Sequence, residues 1–343
     1  MARKPPDDLD SRIRRLVGPM LVIGASGFIG ANLLRRCLAV RGDVIGTILH
    51  HPAWRLEGIS ATNLAPLDLT DPAGVSSFLD RVAPQTVFDC SAYGAYSFQN
   101  DAERIHLTNY MGPVRLLGEL ERRGLSAYVH AGSSSEYGLN AAGPDEACPR
   151  VPNSHYAVSK SAASELITFL GRVKGLPVVN LRLYSVYGPY EDSARLIPTL
   201  AIRALVHELP PLVSPDTARD FVHVDDVVCA FVAAADRMSL QLAGDSFNIG
   251  TGRRLTIREI AQIARRLFAI RDEPIFTTMP PPPWDLEDWY ANPARAERLL
   301  GWKAEIDFEE GLARSAEWWR HQIARRPPET MTESGAANPK IHS

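Results

Sequence analysis

The feature that most constrains the fold is a short apolar run that leads into a glycine-rich turn. Residues 20–23 are typical of a buried strand, and they are followed at once by Gly24-Ala25-Ser26-Gly27-Phe28-Ile29-Gly30 and a helical pattern. Gly24 allows a tight turn, Gly27 allows the backbone to approach a pyrophosphate, and Gly30 allows the helix to pack on the strand. Because the helix N-terminus also offers unpaired amides, the pattern predicts a dinucleotide phosphate site.

Strand and helix patterns alternate after this turn. Short apolar runs predict further strands at 44–49, 64–67, 87–92, 127–132 and 178–184. Long helical patterns lie at 101–123 and around Tyr156. This alternation predicts an α/β fold with a doubly wound parallel sheet, the Rossmann fold. Beyond Tyr187 the pattern becomes less regular.

Composition excludes several classes of protein. The chain has 343 residues, enough for one large domain or two closely joined ones. Hydrophobic residues make up 45% and charged residues 22%, which is ordinary for a globular protein. A net charge of −3 provides no broad basic field for nucleic acid or for a membrane surface. The four cysteines lack CxxC spacing, so we expect neither a metal site nor a disulfide framework.

The start of the chain lacks the features of a secretory signal. Residues 1–15 are charged and lack an apolar core, and no apolar run approaches the roughly 18 residues of a membrane span. We therefore expect a cytoplasmic protein. Residues 1–17 are predicted to be a mobile leader, and the polar segment 326–343 is predicted to be disordered.

The end of the second predicted strand bears on the choice of dinucleotide. Many dinucleotide-binding folds place an acid there to bind the adenosine ribose, but this chain has Leu49-His50-His51, with Arg55 soon after. Without a carboxylate there is no repulsion of a 2′-phosphate, and His50, His51 or Arg55 would neutralise the charge of that phosphate. This favours NADP over NAD, while the alternative is that the histidines only begin a surface loop.

Polar residues also follow other strands. Asp68 is placed to hold the adenine edge, and Asp71 with Pro72 is placed to cap the next helix. The fourth strand is predicted to end beside the cofactor, with Ser91 and Ala92. Asn109 lies inside a helical pattern, where asparagine is unfavourable, so we expect it to bond a neighbouring element.

Tyr156 and Lys160 are the residues best suited to proton transfer. They are four apart in a helical pattern and so lie on one face of the helix. An ammonium favours the phenolate form of a nearby tyrosine, and such a pair can move a proton on and off an alcohol oxygen. The fifth strand delivers Ser133 to the same ligand crevice, where its hydroxyl could bond a substrate oxygen.

The segment around residue 220 is also informative. Arg219 could pair bidentately with a phosphate. Asp225 is placed to cap a helix at 227–235, and Thr256 with Glu259 matches a capping box. Residues 280–283 predict a rigid extended link.

In this order and context, the residues resemble the extended short-chain dehydrogenase/reductase family, in its nucleotide-sugar epimerase/dehydratase branch. The resemblance covers roughly residues 19–322. The matching pieces are Gly24-x-x-Gly27-Phe28-Ile29-Gly30, Asp68-Leu69, Asn109, Ser133, Tyr156-x-x-x-Lys160, Tyr187-Gly188-Pro189, Arg219-Asp220-Phe221-Val222-His223-Val224-Asp225-Asp226 and Phe247-Asn248-Ile249-Gly250.

The resemblance implies a role for each site residue. Tyr156 would be the acid/base on a sugar hydroxyl, usually the 4-OH, Lys160 would hold the nicotinamide ribose, and Ser133 would bond the same sugar oxygen. Arg219 would grip the substrate diphosphate. The implied cofactor-binding residues are Gly24, Gly27, Phe28, Ile29, Gly30, Asp68, Leu69, Ser91, Ala92, Asn109, Tyr156 and Lys160. The implied substrate-binding residues are Ser134, Glu136, Ser185 and Arg219.

The resemblance also implies a division into two parts. The dinucleotide-binding domain would comprise 18–185 and about 225–250. A smaller C-terminal α/β lobe, comprising 186–224 and 251–325, would cover the nucleotide sugar. A homodimer would pair the long helices at 101–123 and 153–171 in a four-helix bundle.

Departures from the family pattern bear on the reaction. Similar 4,6-dehydratases carry Thr-Asp-Glu or another acid-bearing triplet where this chain has Ser133-Ser134-Ser135. Glu136 follows one place later and either serves as a base or points the other way, and we favour the second. Ser185 stands where the family usually has an asparagine that contacts substrate.

These features predict an NAD(P)-dependent nucleotide-sugar enzyme that acts at C4, as an epimerase or a 4-ketoreductase. The alternative is a 4,6-dehydratase that uses Glu136. A non-catalytic dinucleotide-binding regulator is a more remote alternative, because a site that no longer catalyses a reaction does not need both Tyr156 and Lys160.

Overall fold

The computed structural model describes residues 8–49, 54–96, 98–276 and 286–325. The α-helices in these ranges are α1 (Leu9–Arg15), α2 (Phe28–Leu38), α3 (Pro72–Val82), α4 (Ala102–His106), α5 (Gly112–Arg123), α6 (His155–Arg172), α7 (Leu196–Ala204), α8 (Val224–Asp236), α9 (Ile257–Phe268), α10 (Ala294–Leu300) and α11 (Phe308–Arg325). The strands are β1 (Met20–Ile23), β2 (Val44–Ile48), β3 (Leu64–Pro66), β4 (Thr86–Asp89), β5 (Ala127–Ser133), β6 (Val178–Leu183), β7 (Ser185–Tyr187), β8 (Ala218–Arg219), β9 (Phe221–His223), β10 (Ser246–Ile249), β11 (Leu255–Thr256) and β12 (Asp288–Trp289).

The main sheet has seven strands among the described residues, in the order β10-β6-β5-β4-β1-β2-β3. Every neighbouring pair in it is parallel, for example Leu21 with Val87 and Val87 with Tyr128. The predicted doubly wound α/β fold is confirmed. Each predicted strand is also found, although the strand expected at 87–92 ends at Asp89. The carboxyl ends of these strands meet at one edge of the sheet, which is where ligands bind in such folds.

Apolar side chains of the sheet face two helical layers. Along β1, Val22 belongs to a core cluster with side chains of α2 and α8, whereas Leu21 belongs to a second cluster with side chains of α5 and α6. Both side chains are fully buried. Burial of each such side chain stabilises the fold by roughly 1.5–3 kcal/mol. Because helices cover both faces of the sheet, successive residues of a strand are all buried, which explains the continuous apolar run.

The later part of the chain adds a smaller apolar cluster between α7, α9 and α11. A three-stranded sheet, β11-β8-β12, and the parallel pair β7–β9 accompany these helices. Strand β10 and helix α8 instead pack with the main sheet. The boundaries proposed for the two parts of the chain stay a prediction.

Local capping signals were mostly correct. Asp71 caps α3 with Pro72 at its first position, and Thr256 forms a capping box with Glu259 at α9. The cap predicted at Asp225 is wrong, since His223 is the N-cap of α8 and its Nδ1 accepts the Asp225 N–H at 3.2 Å. Asp225 lies in the first turn, where a carboxylate is still favourable beside the helix dipole.

The prediction of a mobile leader is wrong for residues 9–15, which form α1. Ile13 of this helix is fully buried in the core, and Arg15 pairs with Asp236 at the end of α8 at 2.9 Å. Residues 1–7, His50 and His51, the predicted link at 280–283 and the predicted disordered tail at 326–343 lie outside the described residues. In the part of the chain that is described, no helix is both long and apolar enough to span a membrane.

Candidate active site

The glycine turn between β1 and α2 is shaped by close backbone approaches. Gly24 has φ +72°, and a Cβ there would lie 2.9 Å from backbone atoms of Cys90 and Ser91. A Cβ at Gly30 would lie 2.3 Å from the carbonyl oxygen of Gly24, so the helix packs directly on the turn. Both observations agree with the roles predicted for these glycines in shaping the turn.

The start of α2 is open to a ligand. Gly27 is the N-cap and makes no side-chain hydrogen bond to the first turn. A Cβ at Gly27 would meet only the Gly24 carbonyl oxygen, at 3.2 Å, so the other side of this residue is unobstructed. An eleven-residue helix with an uncapped N-terminus offers amides and a positive dipole end to a phosphate. The geometry therefore fits a dinucleotide pyrophosphate.

Tyr156 and Lys160 lie one turn apart in α6, which Ser154 caps through the Ala157 N–H at 3.1 Å. The Lys160 side chain is 1% exposed, and its Nζ donates to the carbonyl oxygen of Ala131 at 2.9 Å. The Nζ atom lies 6.0 Å from the centre of the Tyr156 ring. The Lys160 amino group is thus held on strand β5, near the Tyr156 ring.

Ser133 ends the same strand, two residues after the partner of Lys160. Its Oγ accepts the Ser135 N–H at 3.1 Å, and its own N–H donates to Oε1 of Glu136 at 3.1 Å. These two bonds form a capping box for a 3₁₀ turn at Ser134–Tyr137. Helix α6 packs against this turn, so the fold gathers Ser133 and the Tyr156–Lys160 turn at the carboxyl end of β5.

Asn109 connects the loop after β4 with the start of α6. It lies in a π-helical turn, Leu107–Met111, between α4 and α5, and is fully buried. Its side chain exchanges two 2.8 Å hydrogen bonds with the backbone of Tyr93 and donates to Ser159 Oγ at 3.0 Å. Ser159 Oγ in turn donates to the Tyr156 carbonyl at 2.8 Å. Asn109 therefore does bond neighbouring elements, while its contact with the cofactor stays a prediction.

A buried polar cluster under the strand ends was missed by the sequence analysis. Asp89 accepts from the N–H and Oγ of Ser91 at 3.0 and 2.6 Å, and from the Tyr128 hydroxyl at 2.7 Å. His130 Nδ1 lies 3.3 Å from the same carboxylate. Burial alone would raise the pKa of Asp89, but hydrogen bonding to His130 and the other partners lowers it below its usual value. The missed signal was a charged residue and a histidine, each inside an apolar run.

The remaining predicted cofactor residues differ in exposure. Asp68 is exposed, and its Oδ1 accepts the N–H and the hydroxyl of Thr70 at 2.8 and 2.7 Å. Leu69 is buried and packs against Gly112, the first residue of α5. Ser91 is anchored on Asp89, as described above. Contacts of these residues and of Ala92 with a cofactor stay predictions.

Glu136 does not face the crevice. Its side chain is fully buried, and its Oε2 accepts from Arg182 Nε at 2.8 Å while Oε1 holds the Ser133 N–H. Burial alone would lower the pKa of Arg182, but the Glu136 carboxylate outweighs this and raises it. This enclosure agrees with the favoured interpretation that Glu136 points the other way, and its role as a substrate-binding residue or a base stays a prediction.

The other predicted substrate residues lie at or near the same edge. Ser134 is buried in the 3₁₀ turn, and Ser185 is half-buried in β7, where its N–H donates to the Asp220 carbonyl at 2.9 Å. Arg219 is also half-buried, and its Nη1 donates to the carbonyl oxygen of Leu286 at 2.9 Å. Its guanidinium lies 5.8 Å from the Trp289 ring. A contact of Arg219 with a diphosphate stays a prediction.

Arg55 is engaged by the protein itself. Its Nε donates to the Tyr190 carbonyl at 2.7 Å, and its guanidinium lies 4.4 Å from the Trp54 ring. Burial lowers the pKa of Arg55. The structure thus weakens the part of the NADP argument that used Arg55, while His50 and His51, which were also named, lie outside the described residues.

A cavity of about 600 Å³ lies at the opposite ends of the strands. Its lining includes Pro19, Asp43 and Leu64, which precede or begin β1, β2 and β3. None of the predicted site residues lines it. Because parallel sheets bind ligands at their carboxyl ends, this cavity is not the candidate site.

A model of the NAD-dependent epimerase/dehydratase family matches residues 20–250, from the first strand of the sheet to the turn after β10. The chain belongs to this family. The resemblance seen in the sequence is confirmed, and the protein is an enzyme of an NAD-dependent, nucleotide-sugar-modifying family.

Curated members of the epimerase/dehydratase family include both reaction types. The UDP-glucose 4-epimerase of Mycolicibacterium smegmatis is 31% identical over 315 residues, covering 88% of this chain and 98% of the relative. The dTDP-glucose 4,6-dehydratase of Streptomyces niveus is 29% identical over 349 residues, covering 93% and 98%. Overall identity therefore supports nucleotide-sugar modification but does not separate the reactions.

Solved structures of the family share the fold over nearly their whole length. The UDP-glucose 4-epimerase of Thermotoga maritima with UDP-glucose gives a TM-score of 0.79 at 25% identity, covering 89% of this chain and 99% of that one. The UDP-glucose 4-epimerase of Thermus thermophilus in complex with NAD gives 0.76 at 27% identity, covering 88% and 98%.

Proposed function

We propose that this protein is an NAD-dependent nucleotide-sugar 4-epimerase with a UDP-sugar substrate. The proposal rests on two observations at the end of β5. Ser133, Tyr156 and Lys160 gather there, while Glu136, the acid nearest the position of the dehydratase acids, is enclosed by Arg182. A site with the hydroxyl-directed groups and without the dehydratase acids is suited to chemistry at C4 alone.

Tyr156 is the acid/base of the proposed reaction. Its phenolate takes the proton of the sugar 4-hydroxyl and later returns it, while the Ser133 hydroxyl donates a hydrogen bond to the same oxygen. The Nζ of Lys160 is fixed near Tyr156 by its hydrogen bond to the Ala131 carbonyl. When bound, NAD supplies the hydride chemistry at C4. Inversion requires the 4-keto sugar to turn so that its other face receives the hydride, with its 4-oxygen again beside Tyr156.

The resemblance to the family and the geometry of the crevice support a set of binding roles. The first turn of α2, opened by Gly27, would hold the cofactor pyrophosphate, and Lys160 would hold the nicotinamide ribose. Arg219 would bind the substrate diphosphate, with Ser134 and Ser185 nearer the sugar. NAD is favoured over NADP because Arg55 is engaged with Tyr190 and Trp54, and because similar epimerase structures contain NAD.

The test is mass spectrometry of the denatured, freshly purified protein, followed by assay with UDP-glucose and UDP-galactose without added cofactor. Released NAD together with interconversion of the two sugars, seen by proton NMR, supports the proposal. An empty site that gains thermal stability with NADPH but not with NADH would overturn it in favour of a 4-ketoreductase. Solvent deuterium at C5 and a 6-deoxy product would overturn it in favour of a 4,6-dehydratase.

We also propose that two copies pair through α5 and α6. Val158 and Phe169, on α6, are 44% and 46% exposed, which is high for large apolar side chains of a packed helix. Burial of these faces in a four-helix bundle would remove that apolar surface from water. Light scattering should give about twice the chain mass at micromolar concentration, and Phe169→Asp should give a monomer. A wild-type monomer would end this proposal.

A further inference from the structure

The 3₁₀ turn that carries Ser133 is held by a buried ion pair. Glu136 is fully buried and Arg182, on the adjacent strand β6, is 4% exposed. Their contact, Oε2 to Nε, is 2.8 Å long. Because both side chains are buried against protein groups, the pair requires an explanation within the protein.

Glu136 acts directly on the backbone of Ser133. Its Oε1 accepts the Ser133 N–H, while Ser133 Oγ accepts the Ser135 N–H. A hydroxyl has one hydrogen to donate and two acceptor positions, and one acceptor position is used by Ser135. The Ser133 hydrogen is therefore free to point towards a ligand, in a direction that the capping box sets.

Arg182 in turn fixes Glu136 and the end of the turn. Its Nη1 donates to the Tyr137 hydroxyl at 2.8 Å, and that hydroxyl donates to Asn248 Oδ1, on β10, at 2.7 Å. The turn is thus fastened to β6 and β10 as well as to β5. These strands are part of the rigid sheet, which is the best support for a side chain that needs exact placement.

The chain also makes room for the carboxylate. A Cβ at Gly132 would lie 2.6 Å from Glu136 Oε1 and 2.2 Å from Asn180 Oδ1. Glycine at this position lets Glu136 approach the strand, and the Asn180 amide donates to Oε1 at 3.2 Å. Gly132 of β5, and Asn180 and Arg182 of β6, are therefore matched around one carboxylate.

Stability alone does not account for this arrangement. Replacing a buried ion pair with apolar side chains of similar volume is often neutral or stabilising, because desolvation of the two charges offsets their attraction. A buried pair that also fixes backbone geometry has a second role in specifying one conformation.

We propose that Glu136 and Arg182 are positioning residues, which hold the turn so that the Ser133 hydroxyl points at the sugar oxygen. Their role in turnover rests on the proposed function, whereas their role in fixing the Ser133 backbone does not. Loss of the carboxylate oxygen should lower kcat more than it changes KM, since an oriented hydroxyl matters most in the transition state.

The test compares two double variants. Glu136→Val with Arg182→Leu removes the charges and the acceptor for the Ser133 N–H. Glu136→Gln with Arg182→Leu removes the charges but keeps an amide oxygen at the Oε1 position. Hydrogen exchange of the Ser133 and Ser135 amides, thermal unfolding and steady-state kinetics with UDP-glucose are measured for both and for the wild type.

We expect the Val/Leu variant to remain folded, to lose slow exchange at Ser133 and Ser135, and to lose about 10- to 100-fold in kcat with little change in KM. The Gln/Leu variant should recover both the slow exchange at Ser133 and Ser135 and the wild-type kcat. Wild-type exchange and kcat in the Val/Leu variant would overturn the proposal, as would a Gln/Leu variant no better than Val/Leu.

Gly132→Ala provides a second route that leaves both charged residues in place. Its Cβ should displace the carboxylate and produce the same exchange and kcat losses, so wild-type behaviour here would also overturn the proposal, even if the Val/Leu variant does not fold.

If the wild type converts no UDP-sugar, the proposed function fails, and the exchange measurements alone decide whether Glu136 positions Ser133.

Discussion

Two turns at the carboxyl edge of the sheet use opposite means to present groups to a ligand. The glycine turn after β1 presents backbone amides, and it is shaped by the absence of side chains at Gly24, Gly27 and Gly30. The turn after β5 presents the side chain of Ser133, and it is held by Glu136 and its bond to Arg182. We infer that backbone recognition can be local, whereas a directed hydroxyl needs support from distant strands.

Under the proposed function, the first turn serves binding, and the second serves chemistry together with Tyr156. Tyr156→Phe should therefore have the largest effect on turnover, a loss of about 10²–10⁴-fold in kcat, because the proton acceptor is removed. The amount of NAD released from the purified variant should match the wild type. An equal loss of NAD would show that the two functions are not separated.

Gly24→Ala should produce the next largest effect, and it concerns folding. The residue has φ +72° and its new Cβ would meet backbone atoms of Cys90 and Ser91. The left-handed conformation alone costs about 1–2 kcal/mol with a Cβ, so urea unfolding should show at least that loss. The matched control is Gly27→Ala, at φ −77° with only one close contact, which should keep the wild-type midpoint and weaken NAD retention. Equal midpoints for the two variants would contradict this account.

Ser133→Ala removes the hydroxyl but leaves the capping box acceptor, Glu136, in place. We expect a loss of about 10- to 100-fold in kcat, less than for Tyr156→Phe, because only a hydrogen bond to the reacting oxygen is removed. Initial rates with UDP-glucose measure this. Ser135→Ala is the matched control, since its contribution to the turn is a backbone N–H. A comparable loss in the control, which keeps this N–H, would show that the effect is not specific to the Ser133 hydroxyl.

Arg55→Ala should have the smallest effect on cofactor choice. The Arg55 side chain binds the Tyr190 carbonyl and lies over Trp54, so its removal should change the ratio of NAD to NADP affinities by less than about threefold. Calorimetric titration of cofactor-free protein measures the ratio. A large loss of NADP affinity alone would restore the argument that Arg55 binds a 2′-phosphate.

Some features of the fold were predictable because their causes are local. The strand from Met20, the glycine turn and the capping box at Thr256 are each set by residues within a few positions of one another. The two largest errors had distant causes. Helix α1 forms because Ile13 is buried by the main core, and His223 replaces Asp225 as a cap because strand β9 continues to that residue.

The candidate site shows the same division. Tyr156 and Lys160 could be paired from their spacing, because a helix fixes which residues share a face. The partner of Glu136 could not be found in this way, since Arg182 is 46 positions away and contacts it only when β5 and β6 align. The Asp89–His130 contact arises equally from the register of β4 and β5.

The sequence by itself determined the doubly wound sheet, the family and the pairing of Tyr156 with Lys160 on one helix face, because periodicity, glycine spacing and helical spacing act over short distances. Only the tertiary structure decided the orientation of Glu136, the engagement of Arg55 and the support of Ser133. These depend on which strands lie side by side and on the desolvation of charged groups between them. A buried carboxylate must find its partners within hydrogen-bonding distance, and that distance is set by the packed sheet and not by neighbours along the chain.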